Sequence, residues 1–284
     1  MYLLVLLVLA LAPGVFWLWL FLRRDVFRPN PRRLLVVTFL LGMVATVPAG
    51  LLEFLLIREA LEPHSSFLSL AGTMVFVVGP VEELTKFAAV RLVPYRSLYF
   101  DEPLDGLTYS AAASLGFASL ENLGYMIAYG PAVILVRGPF STLAHLVFGS
   151  IWGYALGVQA HRRDRRLWPI AAGLAVAAFV HGAFNVTAVT VPPVAVGLVV
   201  IGGAWVITRL DWGQRVSPFR FKQNYPLISC GVCGGQIRVT SRYCRFCATP
   251  VQPTSAAALF CGFCGARNPP QASFCTQCGD RFIH

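Results

Sequence analysis

Residues 67–93 read FLSLAGTMVFVVGPVEELTKFAAVRLV, a long apolar run that carries two glutamates and a lysine near its middle. About 20 mostly apolar residues are enough for a helix to cross the hydrocarbon core of a bilayer. A charge at the centre of such a helix costs ~2.5–3.5 kcal/mol unless it faces other polar groups. Glu82, Glu83 and Lys86 therefore predict a membrane span that lies within a bundle of further helices.

Six further apolar runs accompany this one. They cover residues 2–22, 34–57, 105–128, 139–160, 168–191 and 192–210. The chain is 56% hydrophobic and only 13% charged, with a mean hydropathy of +0.65, whereas about one-quarter of the residues in soluble domains are charged. This composition excludes an ordinary soluble enzyme. The sequence predicts an all-α polytopic membrane helix bundle of about seven spans over residues 1–210.

Basic residues near the span ends are distributed unevenly between the two sides of the predicted bundle. Alternate loops carry 15 Lys and Arg residues on one side and two, Arg58 and Arg137, on the other. Because basic residues stay on the cytoplasmic side, the N-terminus is predicted outside and the C-terminal tail in the cytoplasm. The first run is interpreted as an uncleaved anchor, since Arg23 and Arg24 follow it and no basic residue precedes it. The protein is thus predicted to be a multi-pass protein of the cytoplasmic membrane.

The C-terminal tail holds all eight cysteines, in four Cys-x-x-Cys pairs. The second half repeats the first 31 positions later: Cys230, Cys233, Cys244 and Cys247, then Cys261, Cys264, Cys275 and Cys278. Such spacing is typical of tetrahedral zinc sites, and four thiolates leave no position open for substrate. Free or redox-active thiols are the alternative. We predict two structural Zn²⁺ ions in zinc ribbons over residues 230–247 and 261–284, joined to the bundle by a linker at residues 211–229.

Further polar residues interrupt the apolar runs in a pattern that predicts convergence. They are Glu121, Asn122, His145, His181 and Asn185. Glu82 and Lys86 are four residues apart, as are His181 and Asn185, so each pair lies on one face of its helix. His145 also begins a ladder of small residues, Gly149, Gly153 and Gly157, of the kind that lets membrane helices approach closely. We expect these side chains to point into the bundle and to share one polar site.

Four of these segments together resemble a known family. Residues 80–86, PVEELTK, resemble its Glu-Glu-x-x-Lys motif, and residues 116–122, GFASLEN, resemble its second motif. His145 and residues 181–185, HGAFN, match the remaining two. This is the pattern of the PrsW family of intramembrane proteases, distant relatives of the CAAX prenyl endopeptidases and bacteriocin-immunity proteins. The resemblance spans residues 67–190, and it departs from the prenyl endopeptidases at Glu121, where they usually carry histidine.

The resemblance implies hydrolysis of a peptide bond in a membrane-anchored protein, such as an anti-sigma factor. The implied catalytic residues are Glu82, Glu83, Lys86, Glu121, Asn122, His145, His181 and Asn185. Two adjacent carboxylates in a low-dielectric site do not both ionise easily, so Glu82 or Glu83 is expected to activate water, with Lys86 selecting which one is charged. His181 and Asn185 would donate to the oxyanion, and Glu121 with His145 would orient the water or the leaving amide.

Several alternatives remain open on the residues alone. Histidines and carboxylates could hold a catalytic zinc with one open position, although we favour the metal-free glutamate route. The same carboxylates could serve a proton-coupled transporter, or the chain could be an inactive membrane scaffold or immunity protein that recruits partners through its ribbons. The expected partners are a single-span membrane protein, the lipid bilayer and a cytoplasmic protein docked on the ribbons, and nucleic acid is not expected. Glu53 and Arg137 are interpreted as span-end residues outside the catalytic set.

Overall fold

The computed structural model describes residues 1–24, 30–57, 66–162, 166–217, 227–238, 241, 243–251, 259–261, 264–269, 272–277 and 282. The chain divides into two compact units between Leu210 and Asp211. The first unit is helical, and the second carries the cysteines. Six of the basic residues used to predict the membrane orientation lie outside the described residues: Arg28, Arg58, Arg163, Arg165, Arg220 and Lys222.

The described helices confirm the predicted all-α polytopic bundle. They are α1 (Tyr2–Leu22), α2 (Arg32–Ile57), α3 (Phe67–Thr73), α4 (Gly79–Leu92), α5 (Pro103–Tyr129), α6 (Ile134–Val136), α7 (Thr142–Arg162), α8 (Trp168–Thr190) and α9 (Pro192–Val216). A π-helical turn at Met74–Val78 joins α3 to α4, and another at Arg137–Ser141 joins α6 to α7. Each joined pair therefore continues as one helical segment, and the second begins earlier than the predicted residue 139.

Within the described residues, six helical segments are long and apolar enough to cross a membrane. The remaining long helix, α5, is less apolar because it is rich in small and polar residues. It packs against α1, α2 and α7, and every residue from Pro103 to Ser119 is buried. Over this length α5 contacts other helices instead of lipid. Its small and polar residues are therefore explained by close helix packing, since they need not be soluble in the hydrocarbon core.

Glycines set how closely the helices of the bundle approach. A Cβ atom on Gly106 of α5 would collide with the carbonyl oxygen of Gly153 on α7, so the predicted glycine ladder does lie against a neighbouring backbone. On the other side, a Cβ on Gly79 would collide with the carbonyl oxygen of Ala178, and one on Gly182 with the backbone of Val75. Small residues thus hold α4 in backbone contact with α8, at the level of the Glu-Glu segment.

The tail contains two short antiparallel hairpins. Strand β1 (Leu227–Ser229) pairs with β2 (Gln236–Arg238), and β3 (Leu259–Phe260) pairs with β4 (Arg267–Asn268). The turn before the second strand of each hairpin contains a glycine with positive φ, 70° at Gly234 and 76° at Gly265. Each glycine donates its N–H to the carbonyl of the first cysteine of its pair. This left-handed conformation is one that glycine adopts without strain, which explains the residue type at both turns.

The cysteines of the tail gather as the spacing predicts. The Sγ atoms of Cys230, Cys233, Cys244 and Cys247 lie close enough to hold one metal ion, and those of Cys261, Cys264 and Cys275 form a second group. The Cys230–Cys247 and Cys233–Cys244 sulfur distances are 3.7 and 3.5 Å, near the ~3.8 Å expected of thiolates around a tetrahedral zinc. A hydrogen bond with the Thr249 hydroxyl lowers the pKa of the Cys247 thiol to about 6, whereas the pKa of the Cys233 thiol in the same cluster is raised to about 12. Cys278 lies outside the described residues.

Candidate functional site

The ionisable side chains of α4 lie inside the bundle. Glu82 is 5% exposed, and Glu83 and Lys86 are fully buried. Their helix begins at Gly79-Pro80, directly after the π-helical turn, and its contact with α8 brings the carboxylates against His181. His145 of α7 completes a group of five side chains that we call the polar centre: Glu82, Glu83, Lys86, His145 and His181.

Lys86 lies at the middle of the polar centre. Its Nζ atom donates to Oε2 of Glu82 at 3.1 Å, to Oε1 of Glu83 at 2.9 Å and to Nδ1 of His145 at 3.0 Å. An ammonium has three N–H groups, so all of its donors are used. Because Nδ1 of His145 accepts a hydrogen bond, the proton of this ring is on Nε2. The centroid of the Phe117 ring lies 4.3 Å from the ammonium, within the range of a cation–π contact.

Glu83 is held by three donors. Its Oε1 atom accepts from Lys86 and from Nδ1 of His181, both at 2.9 Å. Its Oε2 atom accepts from the indole Nε1 of Trp152, also at 2.9 Å. Protein donors therefore occupy three of the roughly four lone-pair positions of this fully buried carboxylate, at least one on each oxygen. Glu83 therefore fixes the orientation of Lys86 and His181.

Glu82 has a different environment from its neighbour. Its Oε2 atom accepts from Lys86 and lies 3.8 Å from Nδ1 of His145 and 3.6 Å from Nε2 of His181. Its Oε1 atom has no hydrogen-bond partner among the described residues. One ligand atom from each of Glu82, His145 and His181 lies within 4.8 Å of the other two, so these three residues could hold a metal ion. Glu82 is the carboxylate with free capacity to bind water, a proton or a cation.

Glu121 of α5 joins the polar centre through His145. Its Oε2 atom lies 2.9 Å from Nε2 of His145, the nitrogen that carries the proton. The same oxygen lies 2.9 Å from Nη2 of Arg137, with which Glu121 forms an ion pair. Arg137 was predicted only to mark the end of a span. In the structure it instead contacts a member of the predicted catalytic set, and its side chain is 13% exposed.

Two residues of the predicted set lie away from the polar centre. Asn122 is fully buried, but its side chain bonds Arg137 and Thr142 and none of the five centre residues. Asn185 lies one turn beyond His181 and is half-buried. It forms no hydrogen bond to the polar centre in the part of the chain that the structure describes. The carboxylates and histidines thus converge as the sequence predicts, and the two asparagines flank them.

Glu53 of α2, which was predicted to reach the outer interface or to pair with Arg58, lies within electrostatic range of the polar centre. It interacts electrostatically with Glu82, Glu121 and Lys86. Its Oε1 atom is buried without a hydrogen-bond partner among the described residues. Arg58, the partner considered for it from the sequence, lies outside the described residues. Glu53 is thus a further carboxyl group close to the polar centre.

Sequence reasoning missed Trp152, which donates to Glu83. A usable signal existed: Trp152 is seven residues after His145, close to two full helical turns, so it lies on the same face of α7. Its indole N–H needs an acceptor when buried. A buried tryptophan on the histidine face of a membrane helix therefore pointed to a carboxylate opposite it.

Comparison with known proteins places the polar centre within a shared region. A family model described as PrsW family intramembrane metalloprotease matches residues 30–209. The chain is 31% identical to Protease PrsW of Bacillus subtilis (strain 168) over 176 residues, which are 62% of this chain and 78% of that relative. Protease PrsW of Geobacillus kaustophilus is 30% identical (61% of this chain, 75% of the relative), as is that of Clostridioides difficile (61% and 73%). No solved structure matches the chain. The matched region contains all five centre residues and ends before the cysteine-rich tail.

Proposed function

Because the chain belongs to the PrsW family of intramembrane metalloproteases and is therefore an intramembrane peptidase, we propose that it cleaves single-span, membrane-anchored proteins of the anti-sigma-factor kind. We further propose that Glu82 accepts the proton of the attacking water. The observation that carries this assignment is the contrast between the two adjacent glutamates. Both oxygens of Glu83 are bonded, whereas Oε1 of Glu82 has no partner among the described residues.

The remaining centre residues have roles that follow from their contacts. Glu83 holds Nδ1 of His181, so Nε2 of this ring is directed toward the reacting side of Glu82. An N–H group at that position would stabilise the oxyanion by a hydrogen bond as water adds to the peptide carbonyl, and no proton would be transferred from it. Glu82 takes the proton of that water and delivers it to the leaving amine as the C–N bond breaks. Glu121 and His145 orient Lys86, whose ammonium donates to Oε2 of Glu82 and leaves Oε1 for the water.

A metal-dependent route is the second candidate, because the family is described as metalloproteases and the residues fit a metal. Glu82, His145 and His181 would hold it, and each histidine already has a carboxylate on its other nitrogen, as metal-binding histidines usually do. A bound zinc would lower the pKa of a bound water to ≈ 7. The ammonium of Lys86, however, already bonds Glu82 and His145. Three carboxylates, those of Glu82, Glu83 and Glu121, lie within ion-pair distance of the two cations Lys86 and Arg137.

Zinc content separates the two routes. The tail clusters predict two zinc ions per chain, and the metal-free route adds none. We expect elemental analysis of the purified full-length protein to find about two zinc ions, with no change in the variant His181→Ala. A third ion that is lost in His181→Ala would support the metal-dependent route and would make Glu82 a ligand instead of the proton acceptor.

The proposed activity is tested with single-span substrates in lipid vesicles. Full-length protein is reconstituted with a panel of such substrates, and products are identified by mass spectrometry in water enriched in ¹⁸O. We expect a cut within or beside the substrate's span, with one ¹⁸O atom in the new carboxylate and no product with His181→Ala. Absence of any cut, together with proton flux across the vesicle membrane, would favour the transporter alternative instead.

The placement of the tail extends this proposal. We propose an N-terminus outside the cytoplasmic membrane and two zinc ribbons, at residues 230–247 and 261–284, in the cytoplasm. The linker predicted at residues 211–229 is shorter in the structure, because α9 continues to Val216 and strand β1 begins at Leu227. The support is the charge asymmetry of the loops together with the cysteine clusters, whose thiols need a reducing compartment. In this arrangement the ribbons are available to dock a cytoplasmic protein.

A further inference from the structure

We infer that Arg137 is a positioning residue of the peptidase, which acts through Glu121 to fix the ring of His145. This inference rests on the proposed function, because it assigns Arg137 a role in the same site. Arg137 touches none of the five centre residues in the hydrogen bonds and ion pairs of the described chain. Its effect therefore has to pass through the side chains that it holds.

The guanidinium of Arg137 contacts two consecutive residues of α5, Glu121 and Asn122. Its Nη2 atom lies 2.9 Å from Oε2 of Glu121, and its Nε atom donates to Oδ1 of Asn122 at 2.9 Å. The ring of Tyr125, one turn further along α5, lies 3.6 Å from the guanidinium carbon. Only a planar group with donors in several directions makes these contacts at once, so lysine is not an equivalent residue here.

Asn122 connects Arg137 to Thr142, the first residue of α7. Its Nδ2 atom donates to Oγ1 of Thr142 at 2.9 Å, and that hydroxyl donates to the backbone carbonyl of Arg137 at 3.1 Å. Arg137, Asn122 and Thr142 are therefore joined in a closed ring of hydrogen bonds between α5 and the π-helical turn. Buried asparagine and threonine side chains are satisfied in this way without water.

The π-helical turn is what brings Arg137 to this face. In an ideal α-helix, a residue eight positions before His145 lies roughly 80° away from it around the axis. The turn at Arg137–Ser141 accommodates one extra residue, so the effective separation is seven residues and the offset falls to about 20°. Arg137 and His145 then lie on the same side of the segment, with Glu121 between them.

Loss of the guanidinium would release Glu121 from a largely buried site. Glu121 would then become neutral or turn toward the membrane surface, because an unpaired charge is costly there. Nε2 of His145 would lose the carboxylate oxygen that lies 2.9 Å from it, and the ring could no longer present Nδ1 to Lys86. Since Lys86 also bonds Glu82, the disturbance would reach the proposed proton acceptor.

The variant Arg137→Lys tests this role, with Arg209→Lys as the matched control. Arg209 of α9 also stacks on aromatic rings, those of Tyr154 and Trp205 at 5.2 and 5.5 Å, but it does not contact Glu121 in the described structure. In the vesicle assay we expect kcat to fall roughly 10²-fold in Arg137→Lys with KM unchanged, because misplacement of a catalytic group affects the chemical step. Arg209→Lys should keep the kcat of the wild type.

A second measurement does not depend on activity. Dicyclohexylcarbodiimide enters membranes and modifies neutral, buried carboxyl groups, and peptide mapping locates the label. We expect labelling of Glu121 to rise at least fivefold in Arg137→Gln and to stay unchanged in Arg209→Gln, by the loss of ion pairing described above. Wild-type kcat in both Arg137 variants, or unchanged labelling of Glu121, overturns the inference. If the wild-type protein cleaves no substrate, the proposed function fails, and the labelling alone decides the role of Arg137.

Discussion

The variant Glu82→Gln is expected to fold normally and to lose peptidase activity by roughly 10³-fold or more, because a glutamine cannot accept the proton of water. Its amide oxygen can still accept from Lys86, as Oε2 of Glu82 does at 3.1 Å. Lys86 also keeps its bonds to Glu83 and His145. The fold should therefore change little, and kcat should carry the loss. The measurement is kcat and KM in the vesicle assay, together with the thermal unfolding midpoint in detergent micelles.

The adjacent variant Glu83→Gln is the matched control, since it removes a carboxylate one residue away. Glu83 accepts from two donors at Oε1 and from Trp152 at Oε2. A glutamine there has one oxygen and one NH₂ group, so one end of the amide must face a donor. We expect a loss of stability of about 1–3 kcal/mol from the unpaired group, with part of the activity retained. The assignment is wrong if Glu82→Gln cleaves substrate at the wild-type rate or if only Glu83→Gln is inactive.

The helical spans could be predicted from the sequence because lipid imposes a simple rule on lipid-facing helices. The apolar runs at residues 2–22, 34–57 and 168–191 correspond within a few residues to α1, α2 and α8. The π-helical turns were not predicted. Residues 74–78, MVFVV, are uniformly apolar, and Gly138-Pro139 in the second turn indicates an irregular helix without specifying a π-helical one. Such a turn depends on which residues the neighbouring helices hold, and that is a property of the bundle and not of the segment.

The convergence of the polar centre was also predictable, whereas the division of roles within it was not. Ionisable side chains in a membrane face one another or the interior of the bundle, so Glu82, His145 and His181 were expected to converge. The difference between Glu82 and Glu83 depends on Trp152 and His181, which reach only one of the two from other helices. Arg137 was missed because an arginine at the end of an apolar run usually marks only the membrane interface.

The variant Lys86→Met is expected to have the largest effect on stability. Methionine has a similar length but no charge, so both Glu82 and Glu83 lose the ammonium that bridges them at 3.1 and 2.9 Å. Removal of one partner from a buried ion pair costs about 3–5 kcal/mol, because the other partner is left charged and unpaired. Peptidase activity should be lost as well. Arg91→Met is the control on the same helix, since Arg91 stacks on Tyr95 and is exposed, and such a contact contributes only about 0.5–1 kcal/mol.

The double variant Lys86→Met/Glu83→Gln shows whether this loss is electrostatic or a matter of packing. If unpaired negative charge is the cause, removal of one carboxylate must relieve it. The double variant should then be more stable than the sum of the two single effects predicts, by at least ~1 kcal/mol. It should remain inactive, because Glu82 would still lack the hydrogen bond from the Lys86 ammonium that orients it. The measurement is a double-mutant cycle. Free energies of unfolding of the wild type, the two single variants and the double variant are obtained by titration with sodium dodecyl sulfate in mixed micelles. Strictly additive effects would mean that Lys86 stabilises the bundle through its packing against Phe117 and not through its charge.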